Sequence, residues 1–127
     1  MLVSTPWESN EVQAALVPNN FRVAVHVTRQ EDFAYAFSSL DTIAKHYTKA
    51  TAKLIVDGDG VKSLTDDGVL GQIDAANKAG AQIIAASDAL SANGIDPTTL
   101  PSYIDTKNPG VIAVVEAQTT GFQYYKL

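Results

Sequence analysis

Three short apolar runs, each followed at once by residues that punctuate a helix start, constrain this chain more than any other feature. Phe21–Val27 (FRVAVHV) alternates and is rich in β-branched residues, so it reads as a strand. Ala52–Val56 (AKLIV) and Ala81–Ala86 (AQIIAA) read the same way. Between them Phe33, Phe37, Leu40, Ile43 or Ala44, and Tyr47 recur at steps of three and four, the apolar stripe of an amphipathic helix. Val69, Ile73 and Ala76 repeat that stripe before Gly80, which suits the residue just past a helix end. Strands alternating with helices over tight connections predict a mostly parallel sheet with helices on both faces.

The remaining elements follow from local chemistry. Thr28 to Glu31 has the spacing of a capping box, with Asp32 as a rival cap, and Thr65 is the expected cap of the second helix. Ser87 is expected to cap a short helix over Asp88–Asn93 that Gly94 stops, and Asp96-Pro97 starts a further helical turn. Tyr103–Asp105 is predicted to be a very short fourth strand. Val111–Ala117 is ambiguous, because its valines favour strand while Asn108, Pro109 and Gly121 have the order of helix boundaries. The boundaries agree at both ends, so a helix is predicted there, and Phe122–Lys126 becomes the fifth strand. In that strand Tyr124 and Tyr125 face opposite sides, one expected in the core and the other at a subunit interface.

A length of 127 residues suits one domain, read as an N-terminal extension over 1–20 and an α/β domain over 21–127. The extension carries Trp7 and Leu16, with a short helix expected over 8–16, and is read as an arm packed on the domain or on a neighbouring subunit. Fourteen acidic against nine basic residues, with the basic ones scattered, disfavour nucleic acid and an anionic membrane surface as partners. Residues 1–18 lack the basic and apolar regions of a signal peptide, and no apolar run approaches a membrane span, so a cytoplasmic location is expected. The chain has no cysteine, so it can form no disulfide, thiolate or persulfide of its own.

In an open parallel sheet ligands gather at the carboxyl ends of the strands. That rule brings together His26 at the end of strand one, Asp57, Gly58 and Gly60 after strand two, and Ala86, Ser87 and Asp88 after strand three. A helix N-terminus there offers unpaired N–H groups, so a small anionic ligand is expected. The bland readings are a hydrogen-bonded, half-buried His26, a polar turn at Asp57 and Asp59 in place of a metal site, and a capping Ser87 in place of a nucleophile. No catalytic residue, metal or cofactor is assigned.

Four segments in order, VAVHV, IVDGDGVKSL, AGAQIIAASDALSANGI and PGVIAVVEAQTTGFQYYKL, resemble the DsrE/DsrF-like family over residues 21–127. The resemblance implies a three-layer α/β/α fold with a five-stranded, mostly parallel sheet, and homo-oligomers, commonly trimers or hexamers. Some members of that family relay sulfur as a cysteine persulfide. Here Ala86 stands where the sulfur-carrying relatives have cysteine, and Asp57 stands where histidine is common. The chain is therefore expected to be a non-catalytic ligand-binding or scaffold module without persulfide chemistry. The alternatives are a thiol-independent enzyme using His26 or an aspartate, and a docking partner for a cysteine-bearing relay protein.

Overall fold

The computed structural model describes residues 21–127, so the expectations for residues 1–20 lie outside it. The chain runs β1 (Arg22–Val27), α1 (Phe33–His46), β2 (Thr51–Val56), α2 (Asp67–Lys78), β3 (Gln82–Ala85), α3 (Ser87–Ala92), α4 (Gly110–Thr119) and β4 (Gln123–Lys126). Short 3-10 turns precede α1 at Gln30–Asp32, follow β2 at Gly58–Thr65 and follow α3 at Pro97–Thr99.

The sheet is parallel throughout, in the order β3-β2-β1-β4. β1 pairs with β2 from Arg22↔Thr51 to Val27↔Val56, and on its other side with β4 from Val23↔Gln123 to His26↔Lys126. The chain thus winds outward from β1 through β2 to β3, then returns to place β4 against the free edge of β1.

The alternation of β1 sorts its side chains as the sequence requires. Val23, Val25 and Val27 enter a core with Phe33, Ala36 and Leu40 of α1, Ile73 of α2 and Leu90 of α3. Ala24 enters a second core on the opposite face with Ile55, Ile84, Phe122, and Ala113 and Ala117 of α4. Helices therefore cover both faces, and His26 belongs by register to the α4 side. The stripe of α4 against the sheet consists of Gly110, Ala113 and Ala117, small residues that let the helix lie close. Val114 packs at the margin of that core, while Val111, Ile112 and Val115 point the other way and are exposed.

The five-stranded expectation is corrected to four strands among the described residues. Tyr103–Asp105 meets the outer edge of β3, but only Asp105 bridges Ile84. Its N–H donates to Ile83 and its carbonyl accepts from Ala85, both at 2.9 Å, and the chain then turns away at Lys107, whose N–H donates to the Asp105 carboxylate.

Capping also differs from expectation. Asp66, one residue past Thr65, caps α2 by accepting from Gly68 and Val69. Thr28 caps nothing: Asp32 pairs with Arg29 at 2.9 Å, and the Thr28 hydroxyl accepts from Lys126 at 3.2 Å. The helix over 111–117 holds, with Gly121 at φ 92 turning the chain into β4. Neither Tyr124 nor Tyr125 is core, since each is 39% exposed on a strand open to solvent at every position.

Candidate functional site

The sheet reverses its winding between β1 and β4, and a crevice outside the carboxyl ends of strands is the usual ligand position at such a point. His26 is next to last in β1 and lies beside Lys126 in register. The residue is 7% exposed and both ring nitrogens are engaged. Nε2 lies 3.0 Å from Oδ2 of Asp57, and Nδ1 lies 2.6 Å from the hydroxyl of Tyr124. The Tyr124 ring stands against the imidazole at 5.7 Å between centroids. A chain of polar groups thus runs from the turn after β2, through β1, to β4.

Asp57 is built into this chain from several sides. Its N–H donates to the Val27 carbonyl at 2.8 Å, which continues the β1–β2 ladder past the strand end. Its Oδ1 accepts from the Gly58 N–H at 2.8 Å, fixing the carboxylate so that Oδ2 faces His26. Gly58 adopts φ 50, a conformation that glycine takes without steric cost. Gly60 donates to the carbonyls of Asp57 and Thr28, and a Cβ on it would press on the Val27 carbonyl oxygen at 3.2 Å. The two glycines shape the turn that presents Asp57.

The third predicted cluster divides. Asp88 lies in the first turn of α3, and its Oδ1 accepts from both Ala89 and Gly110 N–H at 3.0 Å, tying α3 to the start of α4. Ser87 is not the cap expected: the cap position falls on Ala86, and the Ser87 N–H donates to the Asn108 carbonyl at 2.9 Å. Ala86 is fully buried in the core on the α1 side. His26 and Asp57 therefore meet directly, Asp88 reaches the same neighbourhood through Gly110, and Ala86 contributes only packing.

Sequence reasoning missed Tyr124 and Gly110. Tyr124 sits in register opposite Ala24 and so shares a face with His26. Its place could be read only once β4 was known to pair with β1. Gly110 is found by proximity, because a Cβ there would collide with the Asp57 carboxylate.

Tyr124 holds its proton above the ordinary tyrosine range, first because burial disfavours the phenolate and second because the Asp57 charge repels it. Among the described residues no group of three or more His, Cys, Asp or Glu side chains is placed to hold a metal ion. Asp59 lies 3.7 Å from Lys62, while Asp57 is committed to His26 and Gly58. An apolar groove of about 350 Å³ lies elsewhere, between α1 and α2 at the amino ends of β2 and β3, lined by Phe37, Leu40, Ile43 and the alanines of α2.

No protein-family profile and no curated protein matches the chain. Two solved structures are similar in fold. The protein of unknown function MTH1491 from Methanobacterium thermoautotrophicum superposes with a TM-score of 0.78 at 22% identity, covering 85% of this chain and 100% of that one. The conserved protein of unknown function BT1422 from Bacteroides thetaiotaomicron superposes with a TM-score of 0.63 at 18% identity, covering 84% of this chain and 94% of that one. These likenesses establish an α/β fold with a parallel sheet and helices.

Proposed function

We propose that this chain is a DsrE-like module that binds a small ligand at the β1–β4 junction, assembles with copies of itself and transfers no persulfide. The hydrogen-bonded chain Asp57–His26–Tyr124, set where the strand order reverses, is the observation that carries the binding part. A buried histidine bonded at both nitrogens offers no free lone pair to a metal or a substrate proton. Its work is to hold Tyr124, the most exposed of the three residues at 39%. A phenol whose proton is held more tightly than usual favours hydrogen bonding over nucleophilic attack. The lack of any cysteine removes persulfide transfer from the chemistry of this chain. Self-assembly is supported by the exposed apolar face of α4, since such a patch commonly marks an interaction surface.

The enzyme reading has one observation in its favour: an imidazole oriented by a carboxylate and touching a hydroxyl is the arrangement that moves a proton. It would act through Tyr124, with His26 and Asp57 behind it.

Native mass spectrometry of freshly purified protein, with Tyr124→Phe in parallel, tests the proposal. A trimer or hexamer carrying a retained small mass that the variant loses is the expected result. A bare oligomer would overturn the ligand part, and a bare monomer would overturn both parts.

A further inference from the structure

The direction of the hydrogen bonds along Asp57–His26–Tyr124 decides what Tyr124 offers to solvent. An ionised Asp57 can only accept, so Nε2 of His26 carries a hydrogen. In the neutral ring Nδ1 is then a lone pair, and the Tyr124 hydroxyl donates to it at 2.6 Å. A phenol has a single proton. With that proton committed inward, the Tyr124 oxygen meets solvent with lone pairs alone. We infer that the junction takes a small ligand bearing a primary ammonium or a comparable N–H donor, received by the Tyr124 oxygen, in preference to an anion.

The surroundings agree. The Asp57 side chain is 22% exposed, and its negative charge acts on the phenol. The first N–H of α4, which would otherwise attract an anion, is already occupied, because Gly110 donates to Asp88 at 3.0 Å. Lys126 is the cation opposing a positive ligand. Its ammonium is held 3.2 Å from the Thr28 hydroxyl and 3.0 Å from the Leu127 carbonyl oxygen, so its donors are directed to the protein's own acceptors. An incoming anion would have to break these contacts and approach the Asp57 carboxylate. A donor has only to meet an oxygen that lacks an external partner.

This inference rests on the ligand-binding reading above, and the test separates the two. The full chain, labelled with ¹⁵N, is titrated at constant ionic strength with methylammonium chloride and separately with inorganic phosphate, following the His26 ring nitrogens and the backbone of 110–112 and 124–126. The expected result is Nε2-protonated His26 and saturable shifts with methylammonium, weakened about fivefold to tenfold in Tyr124→Phe, which loses one hydrogen-bond partner. Saturable shifts at the same residues with phosphate alone would overturn the donor class while sparing the site. Shifts with neither probe, or a ring carrying a hydrogen on Nδ1, alone or together with Nε2, would overturn the inference. Tyr124→Phe is checked for folding by its own spectrum. Should it fail to fold, Asp57→Asn is the second variant: it keeps an oxygen to accept from Gly58, removes the charge that acts on the phenol, and is expected to weaken methylammonium binding.

Discussion

The carboxylate of Asp57 occupies the space that a Cβ on residue 110 would need. Only glycine at the first residue of α4 lets the turn after β2 and the helix after Pro109 close on the same point. That contact ties the His26–Asp57 pair to α4, although the two segments are far apart in sequence. Gly110→Ala must therefore either rotate Asp57 away from His26 and Gly58 or lift the helix from the sheet. The expected cost is about 1–3 kcal/mol, because a buried imidazole then loses its charged partner. Urea denaturation measures it. In an Asp57→Ala background the same substitution should cost much less, and equal costs in both backgrounds would show that the contact is not the cause.

Asp57 also acts on Tyr124 at a distance, through its charge. Burial and that charge both raise the pH at which the phenol ionises, burial being the larger cause. Asp57→Asn removes the charge and leaves the burial, so the Tyr124 titration should move down toward its ordinary value without reaching it. Ultraviolet titration of the wild type and the variant, with Tyr124→Phe to assign the transition, reads the shift. An unchanged titration would mean that His26 screens Tyr124 from the carboxylate.

The same shift sets an alkaline limit on stability. Tyr124 and Tyr103 are both raised from 10.0, Tyr103 by burial and by Asp74, with Lys78 opposing. A phenol that binds its proton more tightly folded than unfolded contributes stability that is complete below the unfolded value, and that contribution is lost as pH rises through the folded value. Unfolding midpoints in urea are thus expected to fall above about pH 10, and Tyr124→Phe should flatten part of that fall. A midpoint that is level across this range would contradict the tightened hold of both phenols on their protons in the folded chain.

Much of the fold was legible because the strong signals were local. The valines of β1 and the stripe Phe33, Phe37, Leu40 report burial by period alone, and Gly80, Gly94 and Gly121 mark the turns with positive φ values of 114, 68 and 92. What stayed hidden depends on partners distant in sequence. Tyr103–Asp105 has the composition of a strand, but a strand exists only where a neighbour pairs along its length, and here one residue pairs. The caps slipped by a residue or changed owner because aspartates at 66 and 88 compete with the threonine and serine beside them for the same N–H groups. The candidate site was half visible. Strand-end geometry found His26 and Asp57, but Tyr124 needed the pairing of β4 with β1. In α4 Val111, Ile112 and Val115 face outward while the small Gly110, Ala113 and Ala117 face inward, the reverse of what their size suggests, because the helix is seated close to the sheet.

Ala86 tests how far the family resemblance extends to chemistry. Its side chain is fully buried at the start of the six-residue α3, packed with the core on the α1 side. A cysteine there has little solvent to reach and adds volume to a filled space. Ala86→Cys should cost about 1–3 kcal/mol, the usual range for overpacking. Its thiol should react with an aromatic disulfide reagent far more slowly in the folded chain than in urea. Reaction at the unfolded rate would mean that the position opens to solvent, as sulfur transfer requires, and would strengthen the proposed mapping of this position onto the cysteine of sulfur-carrying DsrE-like proteins.

The outer face of α4 provides the last prediction. Val111 is 67% exposed and Val115 48%, one turn apart, with Ile112 between them at 46%. An apolar stripe on a helix whose inner stripe is already satisfied by Ala113 and Ala117 gains nothing from the fold itself. Its burial in a second copy would remove that surface from water. Val111→Lys with Val115→Glu should leave the thermal unfolding of the isolated chain nearly unchanged, since exposed substitutions usually shift stability by about 0.5 kcal/mol or less. The pair should, however, reduce the molar mass measured by light scattering after size exclusion to that of one chain. If the mass is that of an oligomer and the double variant keeps it, the copies meet through another surface. If the wild type is already a single chain, the stripe serves no self-association at all.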